Sequence, residues 1–140
     1  MTHRLLVVLS LAAALLSGCF GTDRSDPLQA DRFVRPDHPV ASPSGEYTAY
    51  IEYGPEENGV KTWLPVVRDK TGKEVFRDHD DMAAPYSTRH MLYVTWLSSK
   101  PAELWIYSGD VGTFSVARRQ DGSWTKQHNA APEEIKDLHP

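Results

Sequence analysis

Short runs of alternating apolar and polar residues fill the chain from Ser42 onward. The runs are rich in aromatic and β-branched residues and are bounded by Gly, Pro, Asp or Ser, as is typical of strands between tight turns. Strands at this spacing favour an all-β fold, an antiparallel meander that forms one twisted sheet or a small sandwich. The pattern predicts seven strands, at 47–53, 62–69, 73–77, 90–97, 102–108, 113–119 and 123–127.

Three local features refine the predicted sheet. The runs at 90–97 and 102–108 are apolar or aromatic on both faces, so we expect them at its centre. Pro65 interrupts the run at 62–69 and indicates a sheet edge or a bulge, because proline donates no ladder hydrogen bond. At the end of the chain, 132–138 (PEEIKDL) can form one or two helical turns with proline at the first position.

The residues before the first strand form two segments of different composition. Arg4 and the apolar run 5–16 are too short to span a bilayer and predict a secretory signal peptide at 1–18. Residues 19–41, rich in Asp, Arg, Pro and Gly, predict a flexible tether. In the alternative, Phe33 and Val34 dock on the domain as an edge strand. The predicted β-rich domain then covers 42–130, followed by a tail or short helix at 131–140.

The apolar run ends in Leu16-Ser17-Gly18-Cys19, and Cys19 is the single cysteine of the chain. These four residues resemble the lipobox of bacterial lipoproteins. The resemblance implies diacylation of Cys19, cleavage before it, and anchoring in the cell membrane or outer membrane, facing the periplasm or the exterior. Phe20, where inner-membrane lipoproteins of enteric bacteria have Asp, favours the outer membrane. The alternatives are an ordinary signal peptide with a chance cysteine, or a short membrane anchor.

Two segments of the predicted domain carry a second resemblance. Residues 42–50 (SPSGEYTAY) and 96–106 (WLSSKPAELWI) resemble strand-and-turn repeats of bacterial β-propellers of the TolB and WD-repeat kind. Lys100-Pro101 stands where such repeats have Asp-Gly. The resemblance implies antiparallel meanders, whereas a closed propeller needs four or more blades of about 40 residues. The chain is too short for that.

The charge balance is acidic. The chain has 15 Lys and Arg against 19 Asp and Glu, a net charge of −4, and removing 1–18 takes away Arg4 and no acid, which gives 14 − 19 = −5. Such a balance argues against nucleic-acid binding, which depends on clustered cations. The expected partner is the membrane, through the lipid on Cys19, and a protein of the envelope is the second candidate.

The densest polar cluster is Asp78-His79-Asp80-Asp81, which His90 could join in space. Asp and His can bind a metal, but adjacent residues on a loop cannot all face one ion, and no calcium-loop or zinc-helix spacing is present. We therefore favour a solvated loop, and a hydrolase site would require a pocket that holds at least two of these side chains. Residues 108–112 (SGDVG) predict a glycine turn in which Asp110 bonds its own backbone. No catalytic, cofactor-binding or metal site is predicted.

The four tryptophans leave one question open. Trp96 and Trp105 are expected in the core, whereas Trp63 and Trp124 fit either the core or a ligand-stacking surface. These observations together favour a lipid-anchored envelope protein with a non-enzymatic binding or accessory role. The alternative is an immunity or inhibitor lipoprotein whose negative charge suits a basic toxin or hydrolase. A hydrolase is a third, weaker hypothesis.

Overall fold

The structure, a computed structural model, describes residues 30–79 and 83–138. The lipobox, Cys19 and the signal peptide lie outside these ranges. The described chain is mainly β, which confirms the predicted all-β antiparallel fold and selects its sandwich form: two sheets and one short helix. The elements are β1 (Val40–Ala41), β2 (Tyr47–Glu57), β3 (Val60–Asp69), β4 (Glu74–Arg77), β5 (Tyr86–Ser87), β6 (Leu92–Trp96), β7 (Glu103–Ser108), β8 (Gly112–Arg118), β9 (Trp124–His128) and α1 (Glu133–Lys136).

The first sheet has the order β1-β2-β3-β4, and β5 also pairs with β3. Its main unit is the β2–β3 hairpin, in which β2 extends beyond its predicted end at Tyr53 to Glu57. Asn58 and Gly59 form the turn with φ values of 50° and 75°, the left-handed backbone of an Asn-Gly hairpin turn. The predicted turn at 70–72 is also present, closed by the carboxylate of Asp69 through the amides of Thr71 and Lys73.

Pro65 corrects a prediction from the sequence. It was expected at a sheet edge or bulge, but β3 has partners on both sides. Along one side of β3, Thr62 and Trp63 face β5, whereas 66–68 face β4. Pro65 lies between these two pairings, so its missing N–H removes no bond from either ladder, while its carbonyl accepts the Asp78 N–H at 2.9 Å.

The second sheet is a simple antiparallel meander with the order β6-β7-β8-β9. Its last turn is the predicted Asp121-Gly122 hairpin, where the Asp121 carboxylate accepts the N–H and the hydroxyl of Ser123. These hydrogen bonds lower the pKa of Asp121. Strand β6 is at the end of this sheet rather than at its centre, so the sequence prediction is wrong for β6 and right for β7.

Both faces of β6 are nevertheless buried, as its double apolar pattern requires. One face packs between the sheets in a continuous core, which holds Ala49, Ile51 and Val67 of the first sheet and Leu92, Val94, Trp96, Leu104, Ile106, Phe114 and Val116 of the second. The outer face is covered by chain ends. Phe33 meets Tyr93 edge to face at 5.2 Å, and Ile135 packs on Leu97 and Trp105.

Within the predicted tether 19–41, the structure describes residues 30–41, and this part contacts both sheets. Phe33 and Val34 are 3% and 2% exposed, and the Val34 N–H donates to the Val94 carbonyl at 2.8 Å along the open edge of β6. Val40–Ala41 pairs with β2 as a short edge strand. The alternative prediction, in which Phe33 and Val34 dock on the domain, is therefore right in part. These two residues dock through a backbone hydrogen bond and form no strand, and the packed part of the chain begins before Ser42.

The C-terminal helix is one turn long, and besides the packing of Ile135 the Glu134 carboxylate connects it to the body of the protein. Glu134 accepts a hydrogen bond from Arg32 at 2.8 Å and from the amide and hydroxyl of Ser98 at 3.0 and 2.9 Å. Burial alone would raise the pKa of Glu134, but the hydrogen bonds from Ser98 and Arg32 lower it below its usual value. The Glu134 carboxylate therefore joins three parts of the chain: the N-terminal segment, the β6–β7 turn and the helix.

The two segments that resemble propeller repeats contact each other. The Ser44 amide donates to the Pro101 carbonyl at 3.0 Å, and just before the first segment the Val40 carbonyl accepts the Trp96 indole N–H at 2.8 Å. The predicted core roles of Trp96 and Trp105 are confirmed, since both are about 5% exposed. Among the described residues, no helix has the length and apolar character needed to cross a membrane.

Candidate functional site

An apolar cleft of about 350 Å³ opens where the N-terminal segment lies against the first sheet. Its volume is at the lower end of the range of about 300–1,000 Å³ for small-molecule sites. One wall is the segment 33–37, and the other combines strands of both sheets. That second wall consists of Ile51 and Tyr53 from β2, Trp63 from β3 and Leu92 from β6.

A tight turn shapes the wall formed by the N-terminal segment. The Arg35 amide donates to the His38 carbonyl at 3.1 Å, and the His38 amide donates back to Arg35 at 3.0 Å. Pro36 and Asp37 form the exposed tip of this turn. Buried Phe33 and Val34 hold the turn at its N-terminal end, and the pairing of Val40 with Ala49 of β2 holds it at the other end.

Trp63 is the most informative residue of the cleft. It pairs in register with the exposed Tyr53 on one side and with the buried Tyr86 on the other. Its indole Nε1 is buried and has no hydrogen-bond partner among the described residues. An indole nitrogen only donates, and a buried donor without an acceptor costs about 1–3 kcal/mol. Trp63 therefore has a place in the wall of the cleft and, beneath that surface, a buried hydrogen-bond donor that is unused among the described residues.

The rim of the cleft carries charges of both signs. Arg35 Nε lies 3.8 Å from the Asp37 carboxylate, and Arg35 Nη1 donates to the Ala30 carbonyl at 3.2 Å. On the other side, Lys61 Nζ lies 5.5 Å from the centre of the Tyr53 ring, which is 61% exposed. The site thus combines an aromatic interior with a nearly balanced polar rim, which suits an uncharged ligand better than an ionic one.

The predicted polar cluster at 78–81 and His90 does not converge among the described residues. Asp80 and Asp81 lie outside the described ranges. His79 is exposed, with Nδ1 3.0 Å from the Arg77 carbonyl. His90 lies 3.7 Å from Asp110 beside a second, smaller depression of about 150 Å³. Of the five residues of the cluster, His90 alone is among the described residues that line this depression, and none is among those that line the apolar cleft.

Asp78 contradicts the prediction of a solvated loop. Its side chain is 1% exposed, Oδ1 lies 2.8 Å from Lys126 Nζ, and Oδ2 accepts the Tyr86 hydroxyl at 2.9 Å. Lys126 was not among the residues predicted to matter. The sequence signal that could have pointed to Lys126 is the alternation in SWTKQ, which places Lys126 on the same face as Trp124 and thus toward the core.

The turn at 108–112 also differs in its chemistry from the prediction. The Ser108 hydroxyl, not Asp110, caps the turn, accepting the amides of Asp110 and Val111 at 3.2 and 3.4 Å. Within residues 30–79 and 83–138, no group of three or more His, Cys, Asp or Glu side chains is placed to hold a metal ion. Trp124 packs edge to face on Tyr47 at 4.8 Å, which leaves Trp63 as the tryptophan of the cleft.

Comparisons of the chain with protein-family models, with curated proteins and with solved structures find no match.

Proposed function

We propose that this chain is a lipid-anchored envelope lipoprotein that binds a small uncharged ligand in the apolar cleft and performs no catalysis. The anchor rests on the lipobox residues Leu16 to Cys19. Binding rests on one observation, the buried Nε1 of Trp63, which lacks an acceptor among the described residues beside the apolar cleft. Because Nε1 is buried, an occupant of the cleft supplies that acceptor only when the Trp63 ring turns toward it.

The lining of the cleft indicates the chemical class of the ligand. The Trp63 donor requires an oxygen or nitrogen acceptor, and the aromatic side chains of Phe33, Tyr53 and Trp63 favour a flat apolar face. The rim of Arg35 and Asp37 can bond hydroxyl or amide groups without demanding net charge. A saccharide ring has these properties, since its C–H face packs on aromatic rings and its oxygens accept hydrogen bonds.

The binding proposal is tested by titration with soluble N-acetylglucosamine oligomers. We expect the indole N–H resonance of Trp63 to move in the NMR spectrum as it gains an acceptor, with Trp63→Phe removing most of the affinity. Trp124→Phe, outside the cleft, serves as the matched control and leaves the affinity unchanged. A Trp63 indole resonance that stays fixed at saturating oligomer contradicts the saccharide class.

The anchor is tested separately, by metabolic labelling with a radioactive fatty acid in a bacterial host. We expect label in the parent chain and none in Cys19→Ser. Adding Ser25→Cys to that variant restores a thiol outside the lipobox, and we expect it to stay unlabelled. Label in either variant, or an unlabelled parent chain, would overturn the lipid anchor and leave the cleft proposal to its own test.

A further inference from the structure

The pair formed by Asp78 and Lys126 lies between the two sheets. Lys126 belongs to β9 and aligns with the core residue Val116, and Asp78 directly follows β4. Both side chains are 1% exposed, and Nζ lies 2.8 Å from Oδ1. We infer that these two side chains condense into an amide bond that joins the sheets covalently.

The surroundings of the pair favour this condensation. Lys126 Nζ lies 4.4 Å from the centre of the Phe114 ring and 5.2 Å from that of Tyr86. Removing a charge from water is strongly unfavourable for each ion, so an ion pair in this apolar surrounding has a high free energy. Moving one proton from Nζ to Oδ1 gives a neutral amine and a neutral acid, which low dielectric favours.

The reaction balances without a further reactant. The lone pair of the neutral Nζ attacks Cγ of Asp78, forming the C–N bond and placing the negative charge of the tetrahedral intermediate on Oδ2. A second proton passes from nitrogen to the hydroxyl at Oδ1, which leaves as water with the electron pair of its C–O bond. The Oδ2 electron pair then restores the carbonyl, giving one amide and one water.

Tyr86 is placed to assist this step. Its hydroxyl donates to Oδ2 at 2.9 Å, the oxygen on which negative charge develops. A donor already aimed at a developing oxyanion in a site without water is an effective form of transition-state stabilisation. The fixed distance between Nζ and the carboxyl group adds the advantage of an intramolecular reaction between preorganised partners.

The bond would perform the role of a disulfide in a chain that has none. Asp78 and Lys126 are 48 positions apart in sequence. A cross-link over a loop of this length removes conformational freedom from the unfolded chain. A single cysteine forms no internal disulfide, so an amide between side chains is the covalent tie that this fold offers.

Peptide mapping of the parent protein, extracted from the membrane and unfolded before digestion, tests the bond. Trypsin does not cleave after an acylated lysine, so we expect a branched species in which 78–89 is joined to 120–136, lighter than the sum of its parts by one water. Lys136 is the matched internal control, since its Nζ lies 2.9 Å from Glu133 but in solvent. Cleavage after Lys136 should be normal.

Separate peptides 78–89 and 120–126 at their unmodified masses, with no branched species, would overturn the inference and leave Asp78 and Lys126 as an ion pair alone. Two variants examine the mechanism if the bond is found. Asp78→Asn should form the same link with loss of ammonia instead of water. Tyr86→Phe should lower the linked fraction several-fold, and an unchanged linked fraction would contradict the role given to Tyr86.

Discussion

Two groups of charged side chains connect strands of this protein, and they differ in their exposure to water. Asp78 and Lys126 form an interior pair whose side chains are 1% exposed. On the outer face of the first sheet, Glu52 binds Arg68 and Arg77, each at 2.7 Å, and Arg77 also binds Glu74 at 2.8 Å. The side chains of this surface network are about one third exposed.

The surface network is a set of mutually stabilising charges in a partly solvated setting. The hydrogen bond from Arg77, opposed by partial burial and helped by nearby positive charge, lowers the pKa of Glu74. The hydrogen bonds that Arg77 donates to the carboxylates of Glu74 and Glu52 raise the pKa of Arg77. The guanidinium of Arg68 also lies 4.9 Å over the Tyr50 ring, so its stem and head cover apolar surface.

The comparison of the two groups shows that ion pairs with similar N–O distances can differ in how much they contribute to the free energy of unfolding. The N–O distances are 2.7–2.8 Å in both groups. Water screens the surface charges and would solvate them if a partner were lost. The interior pair is almost fully buried, so before the amide forms each charge is stabilised by the other, and the Asp78 carboxylate also by the Tyr86 hydroxyl. The interior pair links one sheet to the other, whereas the surface network links neighbouring strands of the first sheet.

The largest expected effect comes from separating the interior pair. Lys126→Met leaves the Asp78 carboxylate without its cation, and we expect a loss of about 3–5 kcal/mol in the free energy of unfolding. Equilibrium unfolding in urea measures it. Lys136→Met, an exposed lysine, is the control and should change stability by less than about 0.5 kcal/mol.

The double variant Asp78→Leu with Lys126→Met sharpens the same comparison. It removes both charges, so we expect it to be more stable than Lys126→Met alone. A double variant that is less stable than the single one would show that the buried carboxylate tolerates the loss of its partner, and the contrast with the surface network would fail.

A smaller, pH-dependent effect is expected at Glu134, which is intermediate in exposure. Its pKa is lower in the folded state than the ordinary 4.5, because the hydrogen bonds from Ser98 and Arg32 outweigh burial. Its stabilising contribution is therefore complete above that ordinary value and is lost as the pH falls through the lower, folded-state value. The protection factor of the Ser98 amide, which is the intrinsic exchange rate at each pH divided by the observed rate, should fall between about pH 6 and about pH 3.

Glu134→Gln should remove this pH dependence and cost about 1 kcal/mol at neutral pH. Glu133→Gln is the matched control, because the neighbouring carboxylate is 80% exposed and contacts only Lys136 among the described ion pairs. If the protection of the Ser98 amide depends on pH equally in both variants, Glu134 is not the group that connects the helix to Ser98.

The smallest effect is expected in the surface network. Glu52→Gln should cost about 0.2–1 kcal/mol, and the cost should shrink in about 1 M salt, where charges are screened beyond about 3 Å. Urea unfolding of the parent and variant at low and high salt measures this. A cost that is large and insensitive to salt would place Glu52 in the same class as Asp78.

Much of the fold was predictable because its signals are local. Alternation located the predicted strands, and Asp-Gly and Lys-Thr-Gly marked hairpin turns whose hydrogen bonds lie within four residues. Val40–Ala41 and Tyr86–Ser87 escaped detection because a two-residue strand carries no alternation. Trp96 and Trp105 were correctly assigned to the core, since large aromatic residues in a doubly apolar strand have few other places to lie.

The candidate site was much less predictable. Trp63 was weighed as a ligand-stacking residue, but its companions in the cleft, Phe33 to Asp37, were assigned to a tether. The composition of that segment indicates an extended chain and contains no information on the surface it meets. The open edge of β6 decides that, because its Val94 carbonyl offers Val34 a hydrogen bond.

The sequence by itself determined an all-β antiparallel chain and its principal turns, because propensity and alternation act over a few neighbouring residues. Only the tertiary structure decided that Asp78 is buried rather than solvated, and that Lys126 is its partner. A charge enters an apolar interior only if a distant residue compensates it, and no local pattern contains the position of that residue.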